Sequence, residues 1–289
     1  MLSISAKEFL FWKKKQLSKG GDEQSFAVLL DCVGGLSARD LNLLKINPEG
    51  KLYLKKNLQF LESLWEDHLL KSHPIQYLCG MAFWRDLELE VTDKVLIPRP
   101  ETELVVDIVH RIFGNKSQKL FFVELGTGSG AISIALALKF PMWKGIATDI
   151  DQDVLEVATE NYISSSEKSN LKFCCGHWWT PLDSFKGKLD LVISNPPYIP
   201  RDTYEKLPKA VKKFEPKIAL IGGEDGLEHI SEIIHKAPLY LKKKGWLILE
   251  NHFDQAEKVK ELLIKNKFTS VEIVNDLSGV GRFTIGRYK

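Results

Sequence analysis

Disulfide pairing, membrane anchoring and extended nucleic-acid binding all find little support in this chain. Its four cysteines, Cys32, Cys79, Cys174 and Cys175, include no C-x-x-C pair, so neither a metal knuckle nor a dithiol motif is marked and no metal is expected. Cys174 and Cys175 fall in a strand-like run, where neighbouring side chains point to opposite faces, and reduced, packed thiols suit a cytosolic setting. No apolar run reaches the roughly 20 residues of a membrane-spanning helix. Phe9-Leu-Phe-Trp12 is too short for the core of a signal peptide, and three lysines follow it at once. A soluble, cytoplasmic protein is therefore expected, with no membrane partner. Charge of one sign is also scarce. The formal net charge of +2 argues against extended nonspecific nucleic-acid binding, while leaving room for a local basic patch. Internal repeats and low-complexity tracts are absent, and a composition 44% hydrophobic and 27% charged excludes a disordered chain.

What is present is enough for one large or two smaller domains, at 289 residues. Residues 1–72 read as helical throughout. Phe26, Val28, Leu29, Leu30 and Val33 form an apolar cluster ended by Gly34-Gly35, Ser37 suits the N-cap of a helix over Ala38–Leu44, and Leu52 to Leu70 carries apolar residues near helical spacing. The pattern leaves open whether this lobe is structural or a platform for a partner. Pro74 breaks it, and Phe83–Val91 alternates like a hairpin.

Strand–helix alternation follows. Leu120–Leu125, Gly145–Ile150, Leu171–Cys175, Leu189–Ser194 and Trp246–Glu250 read as strands, with helices over Ala131–Phe140, about Asp153–Tyr162 and Gly226–Lys243. Lys242–Lys244 and Gly245 suit the C-terminus of the last of these helices. Val271–Val274 and Phe283–Ile285 complete the strands without a clear helix between them, so one of the two is expected to be antiparallel. Alternation of this kind specifies a doubly wound α/β sheet.

The first strand–helix turn reads Val123-Glu-Leu-Gly-Thr-Gly-Ser-Gly-Ala131. Gly126, Gly128 and Gly130 let a ligand approach backbone that a Cβ would shield. Ala131 can complete a dinucleotide fingerprint, so spacing alone leaves a nicotinamide cofactor open. Asp149 ends the second strand about 20 residues past Gly128, where a carboxylate accepts the ribose hydroxyls of an adenosine-containing ligand. Asp151 has a plainer use, as the N-cap of the next helix.

The fourth strand runs directly into Asn195-Pro-Pro-Tyr198. Two prolines fix φ twice and remove two donors while leaving their carbonyls free. The Asn195 side-chain oxygen and the Pro196 carbonyl are then two rigid acceptors beside an aromatic ring. A planar NH2 group conjugated to a carbonyl or ring is a poor nucleophile because its lone pair is delocalised. Taking both of its N–H bonds orients the nitrogen and frees the lone pair for a methyl donor. A dehydrogenase has no use for such a device.

This motif, in this fold order, resembles amino-methyltransferases that use S-adenosylmethionine. The chain as a whole is similar to the HemK/PrmC-type release factor glutamine methyltransferases. The likeness extends through Pro74-Ile-Gln-Tyr-Leu-Cys-Gly80, Val95-Leu-Ile-Pro-Arg-Pro-Glu-Thr-Glu103, Glu215-Pro-Lys-Ile-Ala-Leu, Gly222-Gly-Glu-Asp-Gly-Leu227 and Lys244-Gly-Trp-Leu-Ile-Leu-Glu250, in family order over about residues 74–289. It implies a seven-stranded class I, Rossmann-like methyltransferase domain over 93–289, a β-hairpin linker over 74–92 and a helical substrate-docking domain over 1–73. It also implies S-adenosyl-L-methionine on Glu124, Gly126, Thr127, Gly128, Ser129, Gly130, Asp149, Trp178 and Asn195. Asn195, Pro196, Pro197 and Tyr198 would hold the substrate, with Asn195, Pro196 and Tyr198 catalytic. The implied substrate is the glutamine of the Gly-Gly-Gln motif in class 1 peptide chain release factors, with no direct nucleic-acid substrate and a monomeric enzyme. The alternatives are a DNA or RNA amino-methyltransferase that flips a base into the same pocket, and a non-catalytic ribosome-associated binding protein.

Three segments depart from the family pattern. Asn251-His252 follows Glu250 where Ile-Gly is usual. Asp276-Leu-Ser-Gly-Val-Gly-Arg-Phe283 replaces a Gly-x-Asp-Arg pattern and loses its acid, and His177 stands where an Asp is common. No role follows for His177 or His252, and Arg99 and Glu101 are open to either ligand contact or a lobe-joining salt bridge.

Overall fold

The computed structural model describes residues 2–46, 50–114, 119–166 and 170–289. It divides into two compact units, Met1–Met81 with Lys209–Phe214, and Ala82–Pro208 with Glu215–Lys289.

In the first unit, helices Ala6–Ser18, Glu23–Leu29, Ala38–Ile46, Leu58–Lys71 and Ile75–Cys79 enclose a core built on Phe9, Trp12, Phe26, Leu61 and Trp65. Ser5, Asp22 and Asn57 each cap a helix by accepting the amide three residues on, at 3.2, 2.8 and 2.8 Å. Ser37 does the same for Asp40 at 3.3 Å. Phe214 joins this unit by stacking on His73, ring centroids 4.2 Å apart and 6° from parallel. The expectation of helix throughout 1–72 is corrected by two strands, β1 (Leu2–Ser5) and β2 (Lys51–Leu54), which pair antiparallel from Leu2↔Leu54 to Ser5↔Lys51. Leu52 and Leu54 are buried while Lys51 and Tyr53 face out, a period of two that four residues are too few to display. Pairing with a distant segment decides their conformation.

Apart from Met81, the second unit contains the hairpin expected over Phe83–Val91, as β3 (Met81–Trp84) and β4 (Leu87–Glu90). It then builds one sheet from β5 (Phe121–Leu125), β6 (Lys144–Asp149), β7 (Leu171–Cys175), β8 (Leu189–Ser194), β9 (Leu241–Glu250), β10 (Phe268–Asn275) and β11 (Gly281–Tyr288). The seven strands lie in the order β10-β11-β9-β8-β5-β6-β7. Strands β5 to β9 are parallel, and β11 runs antiparallel to both neighbours, as the missing helix before it requires. Successive residues feed opposite faces: Phe122, Leu191 and Ile248 enter one core, Val123, Val192 and Leu247 the other. The chain winds outward from β5 through β7 and returns to β8 on the far side of β5. That reversal opens a crevice at the carboxyl ends of β5 and β8.

Lys242–Lys244 do not end a helix. The helix stops at Tyr240 and β9 begins at Leu241. Leu189 pairs with Leu241 but Leu191 with Trp246, so residues 242–245 bulge from the ladder. Lys244 takes a φ of 69°, and Lys242 pairs with Asp190 of β8 at 2.7 Å. Exposed charges followed by glycine read alike at a helix end and on a bulge.

Candidate active site

Glu124, one residue from the end of β5, is 1% exposed. Its Oε2 accepts the Thr127 hydroxyl at 2.6 Å, the Ser133 amide at 3.0 Å and the Ser133 hydroxyl. Burial outweighs these bonds and pushes the carboxyl up to about 7. The glycine turn that follows is tied to β6, because the Gly126 and Thr127 amides both donate to the Thr148 carbonyl at 2.9 Å. Gly128, at φ 55°, donates to Asp149 Oδ2 at 3.0 Å, and a Cβ there would meet nothing within 4 Å. Gly130, at φ 84°, serves packing instead: its Cβ would come 2.9 Å from Ile134 Cδ1. Asp149 sits at the end of β6, its carboxyl raised by burial despite its amide donors. Asp151 caps the next helix through the Asp153 amide at 2.9 Å.

Asn195-Pro-Pro-Tyr198 leaves β8 across the crevice and is held from behind. The Ile199 amide donates to the Leu220 carbonyl at 2.9 Å, and the Gly222 amide to the Ile199 carbonyl at 3.0 Å. A Cβ on Gly222 would lie 2.6 Å from the Pro197 carbonyl oxygen, and one on Gly226 would lie 2.2 Å from that of Tyr198. Gln255 Nε2 donates to the Tyr198 carbonyl at 2.9 Å. The Tyr198 hydroxyl donates to Glu250 Oε1 at 3.1 Å, and the Thr102 hydroxyl to Glu250 Oε2 at 2.7 Å. Glu250, 2% exposed, is pushed up to about 7 by burial, and the Tyr198 phenol is raised for the same reason. Asn195 Nδ2 donates to Thr102 Oγ1 at 3.4 Å. Among the described residues, neither Asn195 Oδ1 nor the Pro196 carbonyl accepts a hydrogen bond.

A cavity of about 320 Å³ occupies the crevice, within the range of small-ligand sites. Glu124, Gly126, Thr127, Gly128, Ser129, Asp149, Trp178, Asn195 and Pro197 line it. Gly130, Pro196 and Tyr198 do not reach its wall: Gly130 starts the helix behind it, Pro196 is buried, and the Tyr198 hydroxyl is turned to Glu250. Thr102 and His229 line the cavity without having been singled out in the sequence, and Glu250 supports it from beneath. Arg99 lines it too and pairs with Glu215 at 2.5 Å within the same unit, so this salt bridge joins no lobes.

The departures from the family pattern have structural uses. Asn251 is fully buried, donating to the Gly281 carbonyl at 3.2 Å and accepting the Thr284 hydroxyl at 2.7 Å, which ties the end of β9 to β11. Arg282 has an acidic partner after all. Asp276 folds back to it at 3.2 Å while accepting the amides of Ser278 and Val280. His252 pairs with Asp254 at 2.6 Å.

A family model described as a methyltransferase domain matches residues 116–280. The chain is 41% identical over 281 residues to a release factor glutamine methyltransferase of Prochlorococcus marinus, covering 97% of this chain and 96% of that protein. A release factor glutamine methyltransferase of a Synechocystis species is 38% identical over 241 residues, 82% of this chain and 81% of that protein. Among solved structures, the hMettl16 catalytic domain in complex with MAT2A 3'UTR hairpin 6 aligns with a TM-score of 0.57 at 18% identity. It covers 70% of this chain and 75% of that one, a likeness of fold alone.

Proposed function

The chain belongs to the release factor glutamine methyltransferase family, and from that premise we propose how its own residues carry the reaction. It transfers a methyl group from S-adenosyl-L-methionine to the side-chain amide nitrogen of a release-factor glutamine. We take that glutamine to be the one in the Gly-Gly-Gln motif of class 1 factors.

The cavity suits this cofactor. Each Asp149 oxygen takes a backbone amide and keeps acceptor capacity for a ribose diol. The open face at Gly128 leaves room beside the turn, and Trp178 offers a flat surface in the same wall. Glu124, Gly126, Thr127, Ser129 and Gly130 shape the methionine end, where the helix starting at Ala131 presents free amides to a carboxylate. The cofactor supplies a methyl group made electrophilic by its sulfonium sulfur.

The observation that carries the reading is the pair of unengaged acceptors, Asn195 Oδ1, whose residue lines the cavity beside Asp149 and the glycine turn, and the Pro196 carbonyl, next in the chain between two lining residues, Asn195 and Pro197. They take the two N–H bonds of the substrate amide and aim its nitrogen, with Pro197 and Tyr198 completing the holder. Asn195 is bonded to a hydroxyl and to no imidazole or carboxylate among the described residues. The contribution of the loop is therefore orientation of the two reactants. Val95, Leu96, Pro98, Ile132 and Ile218 keep the cavity wall apolar, an environment that favours dispersal of the sulfonium charge in the transition state.

We assign the body of the release factor to a docking surface on the helical unit, expected over 1–73 and running in the structure to Met81 with Lys209–Phe214, in a monomer acting in the cytoplasm. No described helix is long and apolar enough to cross a membrane. The test is methyl transfer to purified release factor, followed by mass spectrometry of the Gly-Gly-Gln peptide. A gain of one methyl on the glutamine is expected, and modification elsewhere would refute the assignment.

A further inference from the structure

We propose that Thr102 and Glu250 are positioning residues that fix which way round the Asn195 amide is held. The inference rests on the function proposed above and concerns the direction of each hydrogen bond.

Ionised, as it is above its raised value of about 7, the Glu250 carboxylate only accepts. Glu250 therefore receives the Thr102 hydroxyl proton on Oε2 at 2.7 Å and the Tyr198 proton on Oε1 at 3.1 Å. With its single proton committed, Thr102 Oγ1 has only lone pairs left for Asn195. The group that faces it, at 3.4 Å, is the Asn195 NH2. The opposite end of the amide, Oδ1, is then the end offered to a substrate. An asparagine turned the other way would present donors to the substrate NH2, which itself only donates, and the nitrogen to be methylated would not be held. One buried carboxylate thus sets both ends of the motif, Asn195 through Thr102 and Tyr198 directly.

All three side chains between which the order is set are largely shielded: Thr102 is 4% and Glu250 2% exposed, and Asn195 is half-buried. Water cannot readily substitute for a missing link, so the cost of losing one falls on geometry. Thr102 lies in the Arg-Pro-Glu-Thr-Glu stretch and Glu250 ends β9, far from the motif in sequence.

The test compares Thr102→Val, which keeps shape and removes the hydroxyl, with Thr102→Ser, which restores it, using intact release factor and S-adenosylmethionine. Thr102→Val is expected to lose about tenfold to a hundredfold in kcat, with the KM for release factor and the Kd for S-adenosylmethionine within about twofold of wild type. Thr102→Ser is expected to recover most of the loss. Glu250→Gln offers an independent arm. Its amide nitrogen must donate to one of the two hydroxyls, so kcat falls again while cofactor affinity holds. Wild-type kcat in Thr102→Val, or a loss in kcat matched by an equal loss in cofactor affinity, would overturn the positioning role and leave the function intact. A wild-type enzyme that methylates no release-factor glutamine would instead overturn the function itself.

Discussion

The Gly128 amide donates to Asp149 Oδ2 at 3.0 Å, so the carboxylate placed to bind a ribose also braces the turn beside it. Asp149→Ala is expected to weaken S-adenosylmethionine binding by about 1.5–3 kcal/mol, the worth of a charge-assisted pair. Asp149→Asn keeps an acceptor for Gly128 and should lose less. Calorimetry showing unchanged affinity in the alanine variant would remove Asp149 from the site.

Asn195→Ala separates substrate from cofactor. The side chain bonds no residue but Thr102 among those described, so its removal leaves the glycine turn intact. The expected loss is roughly a hundredfold or more in turnover, as for a preorganised polar group, with cofactor affinity nearly unchanged. Near wild-type turnover would refute the role of the amide.

Two glycines predict opposite phenotypes. At Gly222 an added Cβ would meet the Pro197 carbonyl oxygen at 2.6 Å and the Tyr198 Cα at 2.8 Å, so Gly222→Ala must displace the acceptor loop. Its kcat is expected to fall while cofactor affinity holds. At Gly128 the added Cβ enters open space in the cavity wall. Gly128→Ala is expected to weaken cofactor binding, with a backbone cost of about 1 kcal/mol. Titrations and single-turnover rates on the two proteins separate these outcomes, and identical profiles would contradict both assignments.

Glu124 and Glu250 both have carboxyls pushed up to about 7 by burial. An acid with a raised folded pKa holds its proton more tightly in the folded state. Its contribution favours folding below the unfolded value of 4.5 and is lost as pH rises towards 7. Each group adds a slope of about −1.4 kcal/mol per pH unit within that window. His73, lowered by burial, works in the opposite sense. Urea midpoints at several pH values between these limits should therefore fall less steeply for Glu250→Gln than for wild type. Parallel lines would show that Glu250 ionises normally.

Much of the sheet was legible because its parallel strands are short apolar runs closed by polar turns, and β5, β6 and β8 deliver Glu124, Asp149 and Asn195 to one edge. The glycine turn and Asn-Pro-Pro-Tyr were readable because backbone demands at those points restrict residue type. Thr102, Glu250 and Gln255 were not. Each acquires its task only when the end of β9 and the Arg-Pro-Glu-Thr-Glu stretch fold against the loop after β8, and nothing in their own neighbourhoods marks that. Asp276 escaped for a related reason: the motif led to an acid beside Arg282, whereas the chain brings one back from six residues earlier. In the helical domain, β1 and β2 were hidden because four-residue strands carry too little period to compete with helical spacing around them.

Of the seven tryptophans, Trp178 is the one in the cavity wall, and its indole nitrogen is buried without a protein partner. Trp12, Trp65, Trp84, Trp143 and Trp179 are buried in cores, and Trp246 is half-buried on β9. The molecule consequently carries its own optical reporter. Occupancy of the cavity will alter the emission of a single indole against a steady background, and Trp178→Phe will silence that signal. Cofactor arrival can thus be timed in unlabelled protein, ahead of any methyl transfer.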